Sequence, residues 1–141
     1  MNKKTPEICF AHSLRRADRV VSQIYNDYLS PFGIRATQFS ILRALDLMGS
    51  TTAAQIRGAL VMDQTTVSRA LKPLVRDSYI AVAEGANKRE KALSLTPQGK
   101  ALYKQALAPW GEAQQMLRKK LGEGNVKALM DLSRQIVALK R

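Results

Sequence analysis

The sequence predicts a mainly α-helical protein with one small β-hairpin. Apolar residues recur every three or four positions along most of the chain, which is the period of an amphipathic helix. The stretch 80–95 differs, because apolar and small residues alternate there on both sides of a turn formed by Gly85, Ala86 and Asn87. A pair of short helical segments directly precedes this hairpin. We therefore expect a winged helix-turn-helix flanked by N- and C-terminal helices.

The composition is that of one folded domain with an unusual charge. The 141 residues are 45% hydrophobic and 24% charged, so we expect a single domain spanning 1–141. Lysine and arginine number 23 against 11 acidic residues, which gives a formal net charge of +12. The excess is spread along the chain and does not form a basic tail. This balance favours an anionic partner, such as nucleic acid or an acidic membrane surface, bound by a folded surface.

The residue types present exclude several functional classes. Cys9 and His12 are the one cysteine and the one histidine, too few for a structural zinc site or a disulfide within the chain. The sequence has no G-x-S-x-G motif and no phosphate-binding glycine loop, so we expect neither an enzyme nor a bound cofactor or metal. Its apolar runs are too short to span a membrane, and no signal-peptide region follows Lys4. We expect a cytoplasmic protein.

The first part of the chain predicts a pair of helices. An amphipathic stripe runs from Ile8 to Tyr28, and the segment 30–33 ends it with a proline and a glycine. The second helix should run from Thr37, its predicted N-cap, to Met48. Its predicted inward residues are Phe39, Leu42, Ala44 and Leu45.

The pair of short helices that follows has the spacing and chemistry of a helix-turn-helix. Thr52 and Gln55 have the form of a capping box for the first helix, which should end near Leu60. Asp63 is the predicted N-cap of the second helix, and Pro73 predicts a bend in its last turn. Its predicted inward stripe is Val67, Ala70, Leu71 and Leu74. The residues of this unit that we expect to contact DNA are Thr52, Gln64, Thr65, Thr66, Ser68, Arg69 and Lys72.

The tip of the predicted hairpin is cationic. Lys88 and Arg89 project where a two-stranded ribbon reaches phosphates or enters a minor groove. In an isolated hairpin, a solvated turn whose charges discourage edge pairing would be the commoner interpretation. Directly after a helix-turn-helix, the DNA contact is favoured.

Another pair of helices completes the chain. Thr96 and Pro97 predict the start of a long helix, and Pro109 with Gly111 predicts a kink near its middle. Glycines 122 and 124 should end it, and the last helix should cover about 125–139.

The helices at the chain ends pose a packing question. The DNA-binding lobe is expected within 37–96, and the helices at 8–29 and 97–140 have apolar faces that need a partner. Packing on the same helices of a second copy would place two recognition helices about 34 Å apart. The alternative is that they fold back on their own winged helix. We favour the homodimer, because two reading modules double the contacts to a pseudo-palindromic operator.

The order of elements and several motifs resemble the MarR family of transcriptional regulators over about residues 8–140. The motifs are Phe32-Gly-Ile-Arg-Ala-Thr-Gln-Phe, Thr52-Ala-Ala-Gln-Ile with Met62-Asp-Gln-Thr-Thr-Val-Ser-Arg, and Arg89 with Leu95-Thr-Pro-Gln-Gly. The resemblance implies an obligate homodimer whose fourth helix lies in the major groove and whose wing arginine, Arg89, reaches the minor groove. It also implies release of DNA when a small, often aromatic or phenolic, ligand binds between the lobes. The chain departs from the family at Asn87, where Asp is common, and at Ser78, where many relatives have Gly.

Cys9-Phe10-Ala11 resembles the start of the peroxide-sensing branch of that family, whose N-terminal cysteine is oxidised. That branch has a tyrosine four positions after the cysteine, where this chain has Ser13. We therefore favour a small apolar role for Cys9 in the helix and keep the redox sensor as an alternative.

These features together predict a sequence-specific, dimeric DNA-binding regulator, a repressor that a small ligand releases from double-stranded DNA. The alternatives are a peroxide-responsive regulator that uses Cys9 and a basic protein that binds nucleic acid without sequence preference. Aromatic side chains suited either to the ligand pocket or to the core are Tyr25, Tyr28, Phe39 and Trp110.

Overall fold

The structure is a computed structural model that describes residues 7–87 and 89–140. It is mainly α-helical with a two-stranded antiparallel hairpin, which confirms the predicted fold class. The elements in chain order are α1 (Phe10–Leu29), a short 3₁₀ helix (Ser30–Phe32), α2 (Ala36–Met48), α3 (Ala53–Leu60), α4 (Gln64–Arg76), β1 (Ile80–Glu84), β2 (Lys91–Leu95), α5 (Pro97–Leu121) and α6 (Glu123–Ala138).

Helix α2 lies at the centre of the fold. It packs against α1, α3, α4, α5 and β2, so its inward side chains join the helix-turn-helix to the terminal helices. Ile41, Leu42 and Leu45 are fully buried there, as is Ile56 of α3. Burial of such large aliphatic side chains is worth about 1.5–3 kcal/mol each, so this contact contributes substantially to stability.

The N-caps of α3, α4 and α5 follow the prediction. The Thr52 hydroxyl accepts a hydrogen bond from the Gln55 backbone at 3.1 Å, and the Gln55 side chain accepts one from the Thr52 N–H at 3.0 Å. Asp63 accepts from the backbone N–H of Thr66 at 2.7 Å. Thr96 accepts from the Gly99 N–H at 3.0 Å. Each bond satisfies a backbone donor that the helix itself leaves free.

The predicted N-cap of α2 is wrong. The helix begins at Ala36, so Thr37 lies inside its first turn and Arg35 occupies the cap position. The Ala36 N–H donates to the Asn26 side chain at 2.7 Å, and the Arg35 N–H donates to the Gln38 side chain at 2.9 Å. The cap comes partly from α1, ten residues away in sequence, and a local capping rule does not detect it.

The hairpin is tied to the helix-turn-helix by a further backbone pairing. Thr51 forms an isolated bridge with Leu93, with its N–H donating to the Leu93 carbonyl at 3.0 Å and its carbonyl accepting at 2.6 Å. The register pairs Ile80 with Leu95 and Val82 with Leu93. Ile80 and Leu93 are buried, whereas Val82 is 47% exposed. The hairpin therefore buries its base in the core and projects its tip away from it.

Among the described residues of the DNA-binding lobe, two that are not glycine have a left-handed backbone conformation. Val61, in the turn between α3 and α4, has φ 53°, and Ser78, between α4 and β1, has φ 65°. This conformation disfavours side chains with a Cβ, and a β-branched valine most of all. Both positions therefore store backbone strain that the surrounding packing must offset.

Glycine is required where the hairpin joins α5. A Cβ on Gly99 would collide with the carbonyl oxygen of Tyr79, which also accepts the Thr96 N–H at 3.1 Å. The Thr96 hydroxyl donates to the Ser78 carbonyl at 2.6 Å. The start of α5 is thus fixed closely against the segment that enters the wing.

The C-terminal helices lie close to their predicted bounds. Helix α5 is one element of 25 residues that includes Pro109 and Gly111. Gly122, at φ 89°, ends it, while Gly124 lies inside α6 and not in the linker. Helix α6 buries no residue in this protomer. Its exposed apolar residues are Leu129, Met130, Leu132, Ile136 and Val137.

The N-terminal half of α1 is exposed in the same way. Phe10 is 79% exposed and Leu14 is 51% exposed. The alternative in which the terminal helices fold back on their own winged helix therefore holds for α5, which packs on α2 and β2, but not for these faces of α1 and α6. Within the described ranges, no helix combines the length and the apolar character needed to cross a membrane.

Candidate DNA-binding interface

Helix α4 divides its residues between a buried and an exposed face. Val67, Ala70 and Leu74 point into the core, so the helix is held rigidly by its apolar stripe. All the α4 residues that the sequence predicted as DNA contacts are exposed: Gln64, Thr65, Thr66, Ser68, Arg69 and Lys72. Hydroxyl, amide and cationic groups thus cover one face of a firmly packed helix, as recognition of a nucleic acid requires.

The N-terminus of α4 carries a carboxylate at its cap. The pKa of Asp63 lies below its ordinary value, chiefly because the carboxylate accepts the Thr66 backbone N–H, with a smaller contribution from the Arg69 charge. Asp63 is therefore ionised at neutral pH, and its carboxylate accepts the Thr66 N–H at this end of the helix.

An open groove of about 950 Å³ lies between α4, α3 and the hairpin, and we call it the wing-side groove. Its apolar lining residues include Leu71, Val75, Val82 and Leu93. The cations on it are Arg57, Arg69, Lys72, Arg76, Arg89 and Lys91. Thr52 also lines it, at the N-terminus of α3. The groove thus gathers Thr52, Arg69, Lys72 and Arg89 from three separate elements, and Ser68 lies beside them.

Ion pairs neutralise some of these cations. Arg76 pairs with Asp77 at 3.0 Å, and the Arg76 side chain holds the pKa of Asp77 below its ordinary value. Lys91 pairs with Glu84 at 3.0 Å at the neck of the hairpin. Within the described ranges, the cations on the groove without such a partner are Arg57, Arg69, Lys72 and Arg89. These are the charges available to an anionic ligand.

Sequence reasoning did not select Arg57. It lies in the last turn of α3, four residues after Ala53, and both residues line the wing-side groove. This i, i+4 spacing places them on one face of the helix. The small residues at 53 and 54, followed by a cation one turn later, were the available signal.

Asn87 organises the tip of the hairpin. Its side-chain oxygen accepts the backbone N–H of Arg89 at 3.0 Å and that of Glu90 at 3.1 Å. A Cβ on Gly85 would collide with the Glu90 carbonyl, so glycine is required for the close approach of the two strands. Arg89 is exposed beside this turn. Lys88, the other predicted cation of the tip, lies outside the described residues.

A second concavity of about 390 Å³ lies on the other flank of α4, and we call it the α2-side groove. It is lined by Arg35, Thr37, Gln38, Thr66, Arg69, Ala70 and Pro73. Arg69 borders both grooves, so α4 forms a ridge between them with Arg69 on its crest. Sequence reasoning did not place the start of α2 at this face.

The predicted aromatic pocket residues lie at the junction of α1, α2 and α5. Phe39 is buried and its ring stacks on Trp110 at 5.6 Å between centroids, while the Arg43 guanidinium lies 4.7 Å above the Trp110 ring. The Tyr25 hydroxyl donates to Gln114, and burial raises the pKa of Tyr25 against an opposing effect of the Arg118 charge. Tyr28 is half-buried. None of the four lines either of the grooves described above, and their role in ligand binding stays a prediction.

Cys9 lies at the residue before α1 and is exposed. The helix begins at Phe10, so Ile8 and Cys9 precede it. Cys9 is not a buried apolar residue within this protomer.

Comparisons with known proteins agree with this architecture. The sequence profile of the MarR family matches residues 32–90. The multiple antibiotic resistance protein MarR of Salmonella typhimurium is 32% identical over 117 residues, which cover 82% of this chain and 81% of that protein.

Solved structures extend the likeness over nearly the whole chain. The transcriptional regulator MosR of M. tuberculosis, solved in complex with DNA, is 28% identical with a TM-score of 0.80, covering 95% of this chain and 100% of that one. BpsR of Bordetella bronchiseptica, whose DNA binding is regulated by 6-hydroxynicotinic acid, is 25% identical with a TM-score of 0.82, covering 94% and 98%. The fold, the exposed face of α4 and these similarities show that the chain belongs to the MarR family of winged-helix transcriptional regulators.

Proposed function

We propose that this regulator is a homodimeric, sequence-specific repressor that a small ligand releases from its operator. The observation that carries the proposal is the ridge of α4, which exposes hydroxyl, amide and cationic groups between two grooves. The chain belongs to a family of transcriptional regulators, in agreement with the expectation that it is not an enzyme.

In the proposed complex, α4 lies in the major groove. Arg69, on the crest of the ridge, donates two parallel hydrogen bonds to a guanine edge, the commonest specific contact of arginine with DNA. Thr65, Thr66 and Ser68 supply shorter hydroxyl contacts, and Lys72 neutralises a phosphate. Arg89 at the hairpin tip enters the adjacent minor groove, where a guanidinium is attracted by the negative potential. Thr52 and Gln64 complete the set at the starts of α3 and α4.

The terminal helices form the dimer interface in this proposal. Residues 8–29 and 97–140 constitute the dimerisation part, and 37–96 constitute the DNA-binding lobe. The exposed apolar faces of α1 and α6 support it, because side chains such as Phe10 and Leu132 gain burial only against a partner. A second copy is the favoured partner, because two-fold symmetry would repeat the recognition helix about one DNA turn, ~34 Å, away.

The dimer has its own test in a substitution on α6. Leu132 is 56% exposed in this protomer, and burying a carboxylate in its place against a second copy is costly. Leu132→Glu is expected to convert the protein to monomers in sedimentation velocity. The control Gln135→Glu adds the same charge at an exposed position of the same helix and should leave the dimer intact. A Leu132→Glu protein that remains dimeric would place the interface elsewhere.

In this proposal, the small ligand that releases the protein from DNA binds at the junction of α1, α2 and α5. Phe39 and Trp110 link α2 of the DNA-binding lobe to α5, so a ligand inserted beside them would alter the position of α4 relative to α5. Tyr25 and Tyr28 offer hydroxyl groups from α1 to a polar substituent. The regulation of the similar protein BpsR by 6-hydroxynicotinic acid supports a small aromatic effector.

The test of DNA recognition is selection of random duplex DNA on the purified protein at about 150 mM salt, followed by sequencing. We expect enrichment of a palindrome with half-site centres about 10 base pairs apart. Binding with a steep salt dependence but no enriched sequence would instead identify a basic protein without sequence preference. Once an operator is known, loss of binding on addition of small aromatic acids tests the effector class.

A further inference from the structure

We propose that Arg35 is a further phosphate-binding residue, which contacts the DNA strand on the flank of α4 opposite the wing. The inference rests on the proposed function and adds to it a contact surface formed by the start of α2. The contact lies in the α2-side groove. Apart from residues of α4, none of the residues assigned to DNA contact above lines this groove.

The chemistry of the α2-side groove suits a phosphate. Its lining includes the guanidinium groups of Arg35 and Arg69, the hydroxyls of Thr37 and Thr66 and the amide of Gln38, and no carboxylate. The wing-side groove, by contrast, includes Glu90. Cations and hydroxyl donors without an acid make up the set of groups that proteins use on phosphate oxygens.

Arg35 is free to make such a contact. Its side chain is exposed, and in the part of the chain that the structure describes it forms none of the ion pairs. Its backbone N–H is held by the Gln38 side chain at 2.9 Å, and the next N–H is held by Asn26 at 2.7 Å. These bonds fix the backbone at the start of α2, so the Arg35 side chain extends from a well-positioned base.

The geometry of B-DNA places a phosphate strand on each flank of a recognition helix that lies in the major groove. The major groove is about 12 Å wide and a phosphate strand runs along each of its edges. With Arg69 on the crest of the ridge, one strand faces the wing-side groove and the other faces the α2-side groove. Arg57 and Lys72 serve the first strand, and Arg35 serves the second. Contacts on both strands fix the depth and angle of α4, on which base contacts depend.

The test compares the charge-removing variant Arg35→Gln with the charge-keeping variant Arg35→Lys. Binding to the selected operator and to random duplex DNA is measured between 50 and 200 mM salt. Arg35→Gln is expected to lose affinity for both DNAs by the same factor. Because the dimer carries two copies of Arg35, the salt slope should fall by about 1.8, or about 0.9 for each protomer. The difference in affinity from the unsubstituted protein then decreases about 12-fold between 50 and 200 mM salt. Arg35→Lys should keep the salt slope.

The control is Lys104→Gln, which removes one exposed cation from α5 at a position that lines neither groove. It should change neither affinity nor slope, and thermal unfolding followed by circular dichroism checks that each variant is folded. An unchanged slope for Arg35→Gln, with operator binding by the unsubstituted protein intact, overturns the inference and leaves the proposed function standing. A loss confined to the operator would make Arg35 a base contact and also overturn it. Absence of operator selection by the unsubstituted protein would mean that the proposed function itself has failed.

Discussion

The side-chain oxygen of Asn87 accepts the backbone N–H of Arg89 at 3.0 Å and so sets the conformation of the hairpin tip. The same oxygen also accepts the N–H of Glu90 at 3.1 Å. An aspartate at this position would place the same acceptor there with a charge, because an amide oxygen accepts in the same geometry as a carboxylate oxygen.

Asn87→Ala should therefore weaken DNA binding without changing its salt dependence. The variant loses both hydrogen bonds and lets the Arg89 backbone move, but it removes no charge from the interface. Arg89→Ala, in contrast, should weaken binding and also reduce the salt slope by about 0.9 for each protomer, or about 1.8 for the dimer. Asn87→Asp keeps the acceptor and should retain the tip conformation. Equal salt slopes for Arg89→Ala and the unsubstituted protein would remove the wing from the DNA contacts.

Arg69 and Lys72 are expected to differ in the kind of contact that they make. Arg69 lies on the crest between the two grooves, whereas Lys72 lines the wing-side groove alone. Arg69→Ala should cost about 1–3 kcal/mol more on the operator than on random DNA. Lys72→Ala should weaken both complexes alike. Parallel titrations of the two DNAs at fixed salt measure this difference, and equal losses for Arg69→Ala would exclude it from base recognition.

Val61→Gly should stabilise the protein. Val61 is 65% exposed and has φ 53°, so glycine relieves the left-handed strain while little buried surface is lost. The net gain in the free energy of unfolding is expected to be about 0.5–1 kcal/mol, after the greater chain entropy of glycine in the unfolded state is subtracted.

The matched control for this substitution is Val75→Gly, at an exposed position inside α4. There the backbone is helical, and glycine should destabilise the protein by about 0.5–1 kcal/mol, because it has a lower helix propensity than valine and loses the buried part of the side chain. Urea unfolding at one protein concentration measures both variants, since the stability of a dimer depends on concentration. A lower midpoint for Val61→Gly would mean that the valine side chain stabilises the turn more than its backbone strains it.

Asp63 should make the stability of the DNA-binding lobe sensitive to acid. Its folded-state pKa is lowered, chiefly by the Thr66 N–H, so the carboxylate stabilises the folded state above its ordinary pKa and this contribution is lost as the pH falls through the folded-state value. Asp63→Asn keeps an N-cap oxygen but does not titrate. The difference in the free energy of unfolding between the unsubstituted protein and Asp63→Asn should be smaller below about pH 4 than at pH 7. A constant difference across that range would show that the charge of Asp63 has no part in the cap.

Short-range patterns in the sequence were sufficient for the secondary structure of the lobe. The caps at Thr52, Asp63 and Thr96 were predictable because each donor and acceptor lies within three residues along the chain. The exposed face of α4 was predictable for a similar reason, since a helix of known period with a buried stripe turns its remaining residues outward.

Other features depended on contacts between distant segments. Asn26 of α1 caps α2, so the predicted cap at Thr37 failed and Arg35 was not connected with the DNA-binding face. Arg57 lies on the same face because α3, α4 and the hairpin pack together around the wing-side groove, and this packing could not be predicted from the sequence of α3.

The sequence by itself determined the helices, the hairpin, the caps of α3, α4 and α5 and the cationic face of α4, because each depends on neighbours a few residues away. Only the tertiary structure decided which cations share a groove, which are neutralised by ion pairs and which apolar faces remain uncovered. The exposure of Phe10 and Leu132 is of this second kind. Periodicity identifies an apolar face, but whether that face meets its own chain or a second copy depends on the packing of the whole fold.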